Sequence, residues 1–137
     1  MELKIIKMQQ YIPTQIVQEY NDKKNDYIRR IRNLSDHVEI SYPDNGNYIG
    51  QVANGKRDGQ GIFFYPSSDV YFGAWCQDSF HGQGVYIFSS GEIYDGLLEM
   101  NEKQGIGTYY YDNARAFYSG NWYQDLKHGS GLLTSSD

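Results

Sequence analysis

Apolar and polar side chains alternate with a period of two from Val38 onward, which is the spacing of a β-strand. In one segment, Tyr71, Gly73 and Trp75 fall on one face of the predicted strand, and the residues between them fall on the other. A turn signal follows at Asp78-Ser79, and the residues after it alternate again. The segment therefore predicts a β-hairpin.

This hairpin pattern recurs four times at a nearly constant period. Each copy contains Tyr-x-Gly and, eleven residues after the tyrosine, Gly-x-Gly, and both landmarks step by 23, 23 and then 24 residues. A fixed period is typical of stacked repeats that bury their apolar faces against one another. The residues that we predict to form the repeated core are Tyr48, Gly50, Gly59, Gly61, Tyr71, Gly73, Trp75, Gly82, Gly84, Tyr94, Gly96, Gly105, Gly107, Tyr118, Gly120, Trp122, Gly129 and Gly131.

The glycines and the aromatic residues of each copy are complementary in size. Glycines leave part of the inner face without side chains, so that large rings can lie over the bare backbone. Each hairpin closes with a short turn in which an Asn, Asp or Gly tolerates positive φ. The predicted turns are Asn54-Gly55, Asp78-Ser79, Asn101-Glu102 and Asp125-Leu126.

Residues 14–34 predict an amphipathic helix ahead of the repeats. Pro13 suits its first turn, whereas Asn21-Asp22 and Asn25-Asp26 are poor helix formers and leave open whether one helix or two form. We expect the helix either to cap the open end of the repeat stack or to dock on a partner, in both cases through the same apolar stripe. That stripe consists of Ile16, Val17, Tyr20, Tyr27, Ile28, Ile31 and Leu34.

These patterns together predict a mainly β protein, an elongated single sheet of stacked β-hairpins with an N-terminal α-helical segment. A half-unit precedes the four repeats, because Tyr42-Pro43 lies 23 residues before Tyr65-Pro66. The predicted division of the chain is an N-terminal helical extension at 1–37 and a repeat domain at 38–137, composed of a half-unit at 38–47 and repeats at 48–70, 71–93, 94–117 and 118–137.

Charge is distributed unevenly along the chain. Residues 1–37 contain seven basic and five acidic residues, a net charge of +2, whereas residues 38–137 contain five and twelve, a net charge of −7. The acidic repeat region disfavours nucleic acids as partners. No apolar run approaches the roughly 20 residues that span a bilayer, and the first residues do not resemble a secretory signal. We therefore expect a soluble protein of the cytoplasm.

The sequence contains no arrangement that predicts catalysis. His81 and His128 lie two repeats apart, or roughly 19 Å in a sheet with two strands per repeat, which is too far to share a metal ion. The Gly-x-Gly pairs open strands and lack the helix N-terminus of a phosphate-binding loop. No Ser-His-acid arrangement recurs. We expect no catalytic, cofactor-binding or metal-binding residues and predict that the protein is not an enzyme.

Two of the four copies closely resemble the MORN repeat (membrane occupation and recognition nexus), whose pattern is Tyr-x-Gly-x-Trp, a short turn and His-Gly-x-Gly. The matching segments are Tyr71-Phe72-Gly73-Ala74-Trp75 with His81-Gly82-Gln83-Gly84, and Tyr118-Ser119-Gly120-Asn121-Trp122 with His128-Gly129-Ser130-Gly131. The other two copies depart from the pattern at the tryptophan, where they have Val52 and Leu98, and at the histidine, where they have Asp58 and Gln104. The resemblance implies an elongated β-sheet that serves as an assembly module.

The resemblance further implies a non-catalytic structural or scaffold protein that binds other proteins of a large intracellular assembly. The cytoskeleton, and within it the ciliary axoneme, is the expected location. The alternative is a peripheral membrane adaptor that binds acidic lipids or tethers a membrane to the cytoskeleton through the basic helix. Rings left at the solvent edge are expected to meet a partner, and the candidates are Phe72, Phe80, Tyr110 and Tyr123. If the helix docks on a partner, Ile28 and Ile31 of its stripe are the further candidates.

The last predicted strand has no further copy to pair with. It begins at Gly129, and the segment from Thr134 to Asp137 contains no turn into a fifth hairpin. One edge of this strand would then be free, and natural proteins usually protect such edges. We therefore expect the edge to pair with a strand of a partner or with a second copy of the chain.

Overall fold

The computed structural model describes residues 2–7 and 11–135. These residues form ten β-strands, one α-helix and a short helical turn. The helix is α1 (Pro13–Arg32), and the short turn is Asp112–Ala114. The strands are β1 (Glu2–Lys7), β2 (Val38–Ser41), β3 (Asn47–Ala53), β4 (Lys56–Phe64), β5 (Val70–Cys76), β6 (Ser79–Ile87), β7 (Ile93–Glu99), β8 (Glu102–Tyr111), β9 (Ala116–Tyr123) and β10 (Leu126–Ser135).

The ten described strands form a single open sheet in the order β1-β10-β9-β8-β7-β6-β5-β4-β3-β2. From β2 to β10, each strand pairs antiparallel with the next one along the chain. The predicted fold, a mainly β stack of hairpins with one N-terminal helix, is confirmed. The connection after β2 closes like the one after β4, since the N–H of Tyr42 donates to the carbonyl of Gly46 at 2.9 Å and that of Tyr65 to the carbonyl of Asp69 at 3.0 Å.

The four hairpins close through two-residue turns in which both residues have positive φ. Asn54 and Gly55 have φ values of 53° and 78°, and Gln77 and Asp78 have values of 48° and 70°. Turns of this hand match the twist of the flanking strands. The first turn lies where it was predicted. The other three lie one residue earlier than predicted, because Asp or Asn occupies the second turn position, at Gln77-Asp78, Met100-Asn101 and Gln124-Asp125.

The helix α1 is continuous through the two segments that are poor helix formers. Pro13 occupies its first turn, as expected, and Asn33 ends it. The N–H of Asn33 donates to the carbonyl of Arg30 at 3.2 Å, and that of Leu34 donates to the carbonyl of Ile31 at 3.0 Å. The side chains that hold the helix are Tyr20, Tyr27 and Ile31, which are all buried. Burial of this stripe against the sheet outweighs the weak propensity of Asn and Asp in the intervening turns.

The helix lies across one face of the sheet, which we call the helix face and define by Ile49, Ile62, Val70, Phe72, Val85 and Ile93. Tyr27 packs against Phe72, with ring centroids 5.2 Å apart, and donates a hydrogen bond to the carbonyl of Gly73 at 3.1 Å. Tyr20 donates to the carboxylate of Asp95 at 2.6 Å. The prediction that α1 caps the open end of the stack is therefore wrong. The apolar stripe covers a face within its own chain instead.

The edge of β10 is paired within the chain. β1 lies parallel to β10, with Glu2 opposite Ser130 and Lys4 opposite Leu132, and Ser130 Oγ donates to the carboxylate of Glu2 at 3.3 Å. The prediction that this edge is free to pair with a partner's strand is therefore wrong, because the sequence reading did not identify β1. Ser136 and Asp137, at the end of the segment considered for that edge, lie outside the described residues.

Deleting residues 1–34 is expected to cause self-association, because it uncovers the apolar helix face and one edge of β10 together. The measurement is light scattering coupled to size-exclusion chromatography, with circular dichroism to confirm that the sheet persists. Deleting only residues 1–7 is the matched control, since it uncovers the edge and leaves α1 in place. A folded, monodisperse protein after the longer deletion would contradict the role of α1 in covering the face.

Candidate functional site

The face opposite α1, which we call the aromatic face, is built on one tyrosine from each repeat. Tyr48, Tyr71, Tyr94 and Tyr118 are all buried. Each lies over the second glycine of the Gly-x-Gly pair: a Cβ added to Gly84 would stand 2.2 Å from the hydroxyl of Tyr71, and one added to Gly61 would stand 2.2 Å from that of Tyr48. The predicted size complementarity of glycine and ring is confirmed.

The hydroxyl groups of these four tyrosines satisfy a carbonyl at each β-bulge. The sheet register shifts between Gly73 and Trp75, and Tyr71 donates to the carbonyl of Ala74, inside that bulge, at 2.8 Å. The equivalent bonds run from Tyr48 to the carbonyl of Gln51 at 2.7 Å, from Tyr94 to that of Leu97 at 2.7 Å and from Tyr118 to that of Asn121 at 2.9 Å. A buried carbonyl without a partner is costly, so the repeat requires tyrosine rather than phenylalanine here.

Trp75 and Trp122 join neighbouring repeats. The indole N–H of Trp75 donates to the carbonyl of Gly61 in the preceding repeat at 3.0 Å, and that of Trp122 donates to the carbonyl of Gly107 at 3.0 Å. The Trp75 ring packs edge-on against the tyrosines of both repeats, at centroid distances of 5.5 Å to Tyr48 and 5.1 Å to Tyr71. Each tryptophan therefore fixes the position of one hairpin on the next.

Cations cover these rings near the hairpin turns. The guanidinium of Arg57 lies 4.8 Å from the centroid of Trp75, and the ammonium groups of Lys103 and Lys127 lie 5.2 and 5.7 Å from that of Trp122. Such contacts between a cation and a ring face are attractive. At the same repeat position in the second hairpin, Phe80 stacks on Tyr71 with a centroid distance of 4.0 Å.

Side chains at the turns link adjacent hairpins through hydrogen bonds. The carboxylate of Asp78 accepts from the backbone N–H of Arg57 at 2.8 Å and from its guanidinium at 2.9 Å. Burial opposes ionisation of Asp78, but these hydrogen bonds outweigh it and hold the pKa of its carboxyl below the ordinary value. Equivalent bonds join Asn101 to the N–H of Phe80 at 2.8 Å and Asp125 to the N–H of Lys103 at 2.7 Å.

A continuous row of mostly half-buried rings crosses the aromatic face near the strand ends that lie away from the two-residue hairpin turns. Successive centroids along the row lie between 4.4 and 6.0 Å apart. We call these residues the ring row: Tyr42, Phe63, Tyr65, Tyr86, Phe88, Tyr109 and Tyr111. Of these, Phe63 is buried and the other six are partly exposed. The ring row therefore presents six partly exposed rings side by side on the aromatic face.

Two carboxylates border the ring row. Tyr86 donates to Asp69 at 2.9 Å, and Tyr109 donates to Glu92 at the equivalent place in the next repeat. Burial disfavours the charged form of Asp69, but hydrogen bonds from the N–H of Ser89 and from Tyr86 outweigh it and lower the pKa of this carboxyl. Asp69 therefore stays ionised at neutral pH and gives this border negative charge.

Alkaline pH is expected to destabilise the fold through these tyrosines. Burial, together with the negative charge of Asp69, raises the pKa of Tyr65 to about 12 against the opposing effect of Arg57. An unfolded tyrosine ionises near pH 10. The stability that depends on neutral Tyr65 is therefore complete below about pH 10 and is lost as the pH rises through about 12. Tyrosinate absorbance and circular dichroism should change together in this range, and a chain that stays folded while every tyrosine ionises near pH 10 would contradict the burial described.

The residues predicted to bind a partner are dispersed over the structure. Phe72 is 5% exposed beneath α1, and Ile31 is 3% exposed on the buried side of that helix. Ile28 is half-buried and packs against the same cluster. The prediction that Phe72 lies at the solvent edge is therefore wrong, because α1 covers it. Ile28 and Ile31 lie on the stripe with which α1 packs against its own sheet rather than against a partner.

The three remaining candidates do not form one surface. Phe80 lies on the aromatic face against Tyr71, whereas Tyr110 lies on the helix face, 5.5 Å from the ring of Tyr20. Tyr123, at the turn end of β9, is 48% exposed. Partner binding by these residues stays a prediction. The sequence did not predict the ring row as a surface, because its aromatic residues are typical of a core. The signal that could have identified it is the recurrence of two aromatic residues near the end of each of the first three returning strands.

Other kinds of site find little support in the described part of the chain. Residues 2–7 and 11–135 contain no group of three or more His, Cys, Asp and Glu residues that could hold a metal ion. His81 and His128 are exposed. No helix among these residues is both long enough and apolar enough to cross a membrane.

Comparison with known families agrees with the repeat geometry. The sequence model of the MORN repeat matches the chain four times, at residues 48–70, 71–93, 94–113 and 118–137. No curated protein sequence matches the chain significantly. The four matched segments cover more than half of the chain, and each begins at the tyrosine that lies over a glycine pair. The chain therefore belongs to the family of MORN repeat proteins.

Proposed function

We propose that this protein is a non-catalytic scaffold that binds another protein through the aromatic face. MORN repeats are in general modules for interaction with proteins or membranes. The observation that supports the proposal is the difference in exposure between the two faces of the sheet. The helix face is covered by α1, whereas six rings of the ring row remain partly exposed on the aromatic face.

The chemistry of the aromatic face suits a protein partner. Tyr and Phe are enriched at the centres of protein interfaces, where they bury much area at a small cost in side-chain entropy. The rings of the row are already held in place by their neighbours and by hydrogen bonds such as that from Tyr86 to Asp69. Little conformational freedom is therefore lost on binding.

Site-specific photocrosslinking in native extract tests the proposal. A crosslinking amino acid in place of Phe88 would project from the ring row, and the same group in place of Gln18, which is exposed on α1, is the matched control on the other side of the sheet. Protein adducts that form from position 88 and not from position 18 are the expected result. Adducts only from position 18, or none from either, would contradict a binding role for the aromatic face.

The second candidate function is a peripheral membrane adaptor, with α1 on acidic lipids or between a membrane and the cytoskeleton. It is supported by the exposed cations of α1, but three of them are already paired: Lys23 with Glu19, Arg29 with Asp26, and Arg32 with Glu39. Pairing weakens the attraction to an anionic surface. Sedimentation with vesicles that contain acidic lipids separates the two functions, since an adaptor should pellet and a scaffold should stay in the supernatant.

We further propose that the assembly is a multi-subunit intracellular one and that it belongs to the cytoskeleton, with the ciliary axoneme as the first place to look. The support for this location is the family alone. Immunofluorescence of the tagged full chain, with and without detergent extraction, is the test. Retention on the detergent-resistant cytoskeleton is expected, and complete release with the soluble fraction would contradict it.

A further inference from the structure

The helix α1 shows how an α-helix fits the spacing of this sheet. Tyr20 and Tyr27 lie seven residues apart, and they contact equivalent places in successive repeats: Tyr20 bonds to Asp95, and Tyr27 packs on Phe72. Asp95 and Phe72 are both the residue after the repeat tyrosine. Leu34, seven residues further along and just beyond the end of α1, packs against the same cluster. The heptad of helix from Tyr20 to Tyr27 therefore corresponds to one repeat of the sheet.

The match follows from two standard dimensions. Seven residues of α-helix advance about 10.5 Å, and two strands, which make one repeat, span about 9.6 Å across a sheet. A helix that lies slightly oblique to the row of repeats absorbs the small difference. Any helix with an apolar residue at every seventh position can thus contact the same site in each successive repeat.

The aromatic face offers the same spacing on the side that α1 leaves open. Tyr86 and Tyr109 are equivalent residues of successive repeats, 23 positions apart in the chain. Both are half-buried, and each has its hydroxyl fixed on a carboxylate. Between them lies the ring of Phe88, 6.0 Å from that of Tyr109. The exposed parts of these rings recur once per repeat.

Charge distinguishes the two borders of this surface. Asp69 and Glu92 line the border beside the ring row. On the turn side, Arg57 and Lys103 are paired with Asp78 and Asp125, and Lys127 lies over the ring of Tyr111 at one end of the row. The repeat region as a whole has a net charge of −7, from five basic and twelve acidic residues. A ligand with Lys or Arg along the side that meets Asp69 and Glu92 is therefore complementary.

From these observations we infer that the partner is an amphipathic α-helix that lies across the strands on the ring row. Its apolar or aromatic residues recur every seven positions, one for each repeat, and Lys or Arg residues flank them on the side of Asp69 and Glu92. The inference rests on the proposed function, since it specifies the class of protein segment that the aromatic face binds. The partner helix and α1 then enclose the sheet from its two faces.

Selection from displayed peptide libraries against the full chain tests this inference. Three libraries of equal length, about 21 residues or three heptads, would compete: helical peptides with apolar residues every seven positions, helical peptides with the same composition and a nine-residue spacing, and proline-rich peptides with a three-residue period. Enriched peptides are then measured against the variants Glu92→Lys and Glu92→Gln. Glu99→Lys, the same change at an exposed residue beside the turn between β7 and β8, is the matched control.

Enrichment of the seven-residue helical library is expected, with binding weakened about tenfold or more by Glu92→Lys, weakened less by Glu92→Gln and unchanged by Glu99→Lys. Proline-rich peptides that depend on Glu92 would overturn the helical inference, and nine-residue helical peptides that depend on Glu92 would overturn the match of one heptad to each repeat. Either result would leave the aromatic face as the binding surface. Peptides that are indifferent to both Glu92 variants, or the absence of any enriched peptide, would overturn the inference and contradict the proposed function as well. Circular dichroism of each variant establishes that it is folded before binding is measured.

Discussion

Replacing Trp75 with alanine is expected to lower the free energy of unfolding by about 3 to 5 kcal/mol. The indole is 4% exposed and packs against rings of two repeats. Its N–H also satisfies the carbonyl of Gly61, so the substitution leaves both a cavity and a carbonyl without its partner. A domain of this size is stabilised by only about 5 to 15 kcal/mol, and the loss should be visible as a large shift in a urea denaturation curve.

The matched control for this variant is Val52→Ala. Val52 occupies the position of Trp75 in the first repeat but is 37% exposed, so its truncation should cost about 1 kcal/mol or less. Equal costs at the two positions would show that the tryptophan does not join the hairpins. Trp122→Ala should behave like Trp75→Ala, since its N–H makes the equivalent bond to Gly107.

Introducing a side chain at Gly84 is the second change with a large expected effect. Gly84→Val should destabilise the fold by about 3 kcal/mol or more, because a Cβ at this position would stand 2.2 Å from the hydroxyl of Tyr71 and 2.5 Å from its ring. Neither the fully buried tyrosine nor the backbone of β6 can move away without disturbing the hydrogen bond to Ala74. Thermal and urea denaturation measure the loss.

Two comparisons identify the cause of this loss. Gln83→Val places the same side chain one position earlier on the strand, where the native residue is exposed, and should cost about 1 kcal/mol or less. A double-mutant cycle of Gly84→Val with Tyr71→Leu should show strong coupling, because the smaller side chain removes the clash. Costs that simply add would show that the ring does not occupy the space above Gly84.

The sequence predicted the repeated architecture well because the repeat is a local pattern. The spacing of tyrosine and glycine placed Tyr71 and Trp75 on one face and identified the hairpins before the sheet was seen. The turns were misplaced by one residue, since the pattern showed an Asp or Asn near each turn but not which of the two turn positions it would occupy. The hydrogen bonds that Arg57 donates to the carboxylate of Asp78 explain why Asp occupies the second turn position.

The features that the sequence did not predict depend on contacts between distant segments. β1 pairs with β10 across almost the whole chain, and a single six-residue strand of alternating character is too short to predict such a partner. The same limit applies to α1. Its stripe of Tyr20, Tyr27 and Ile31 indicated burial, but nothing local could say whether it would cover the end of the stack, a face of the sheet or another protein.

The cations of the aromatic face illustrate a further limit. In the sequence, Arg57, Lys103 and Lys127 are three of the five bases in an acidic region, and no shared role was predicted for them. In the structure they occupy the same position of three repeats and lie over the buried rings. Aligning the repeats by their glycines would have revealed this recurrence, and with it the equivalent position of Phe80.

Hydroxyl-radical footprinting of the full chain, alone and in its native assembly, measures directly whether the aromatic face is the interaction surface. In the isolated protein, the half-buried rings Tyr86, Phe88 and Tyr109 should be modified. In the assembly they should be protected, whereas Met100, which is 66% exposed at a hairpin turn, should be modified equally in both. Unchanged labelling of the three rings, with protection along α1 instead, would contradict the assignment of the aromatic face as the binding surface.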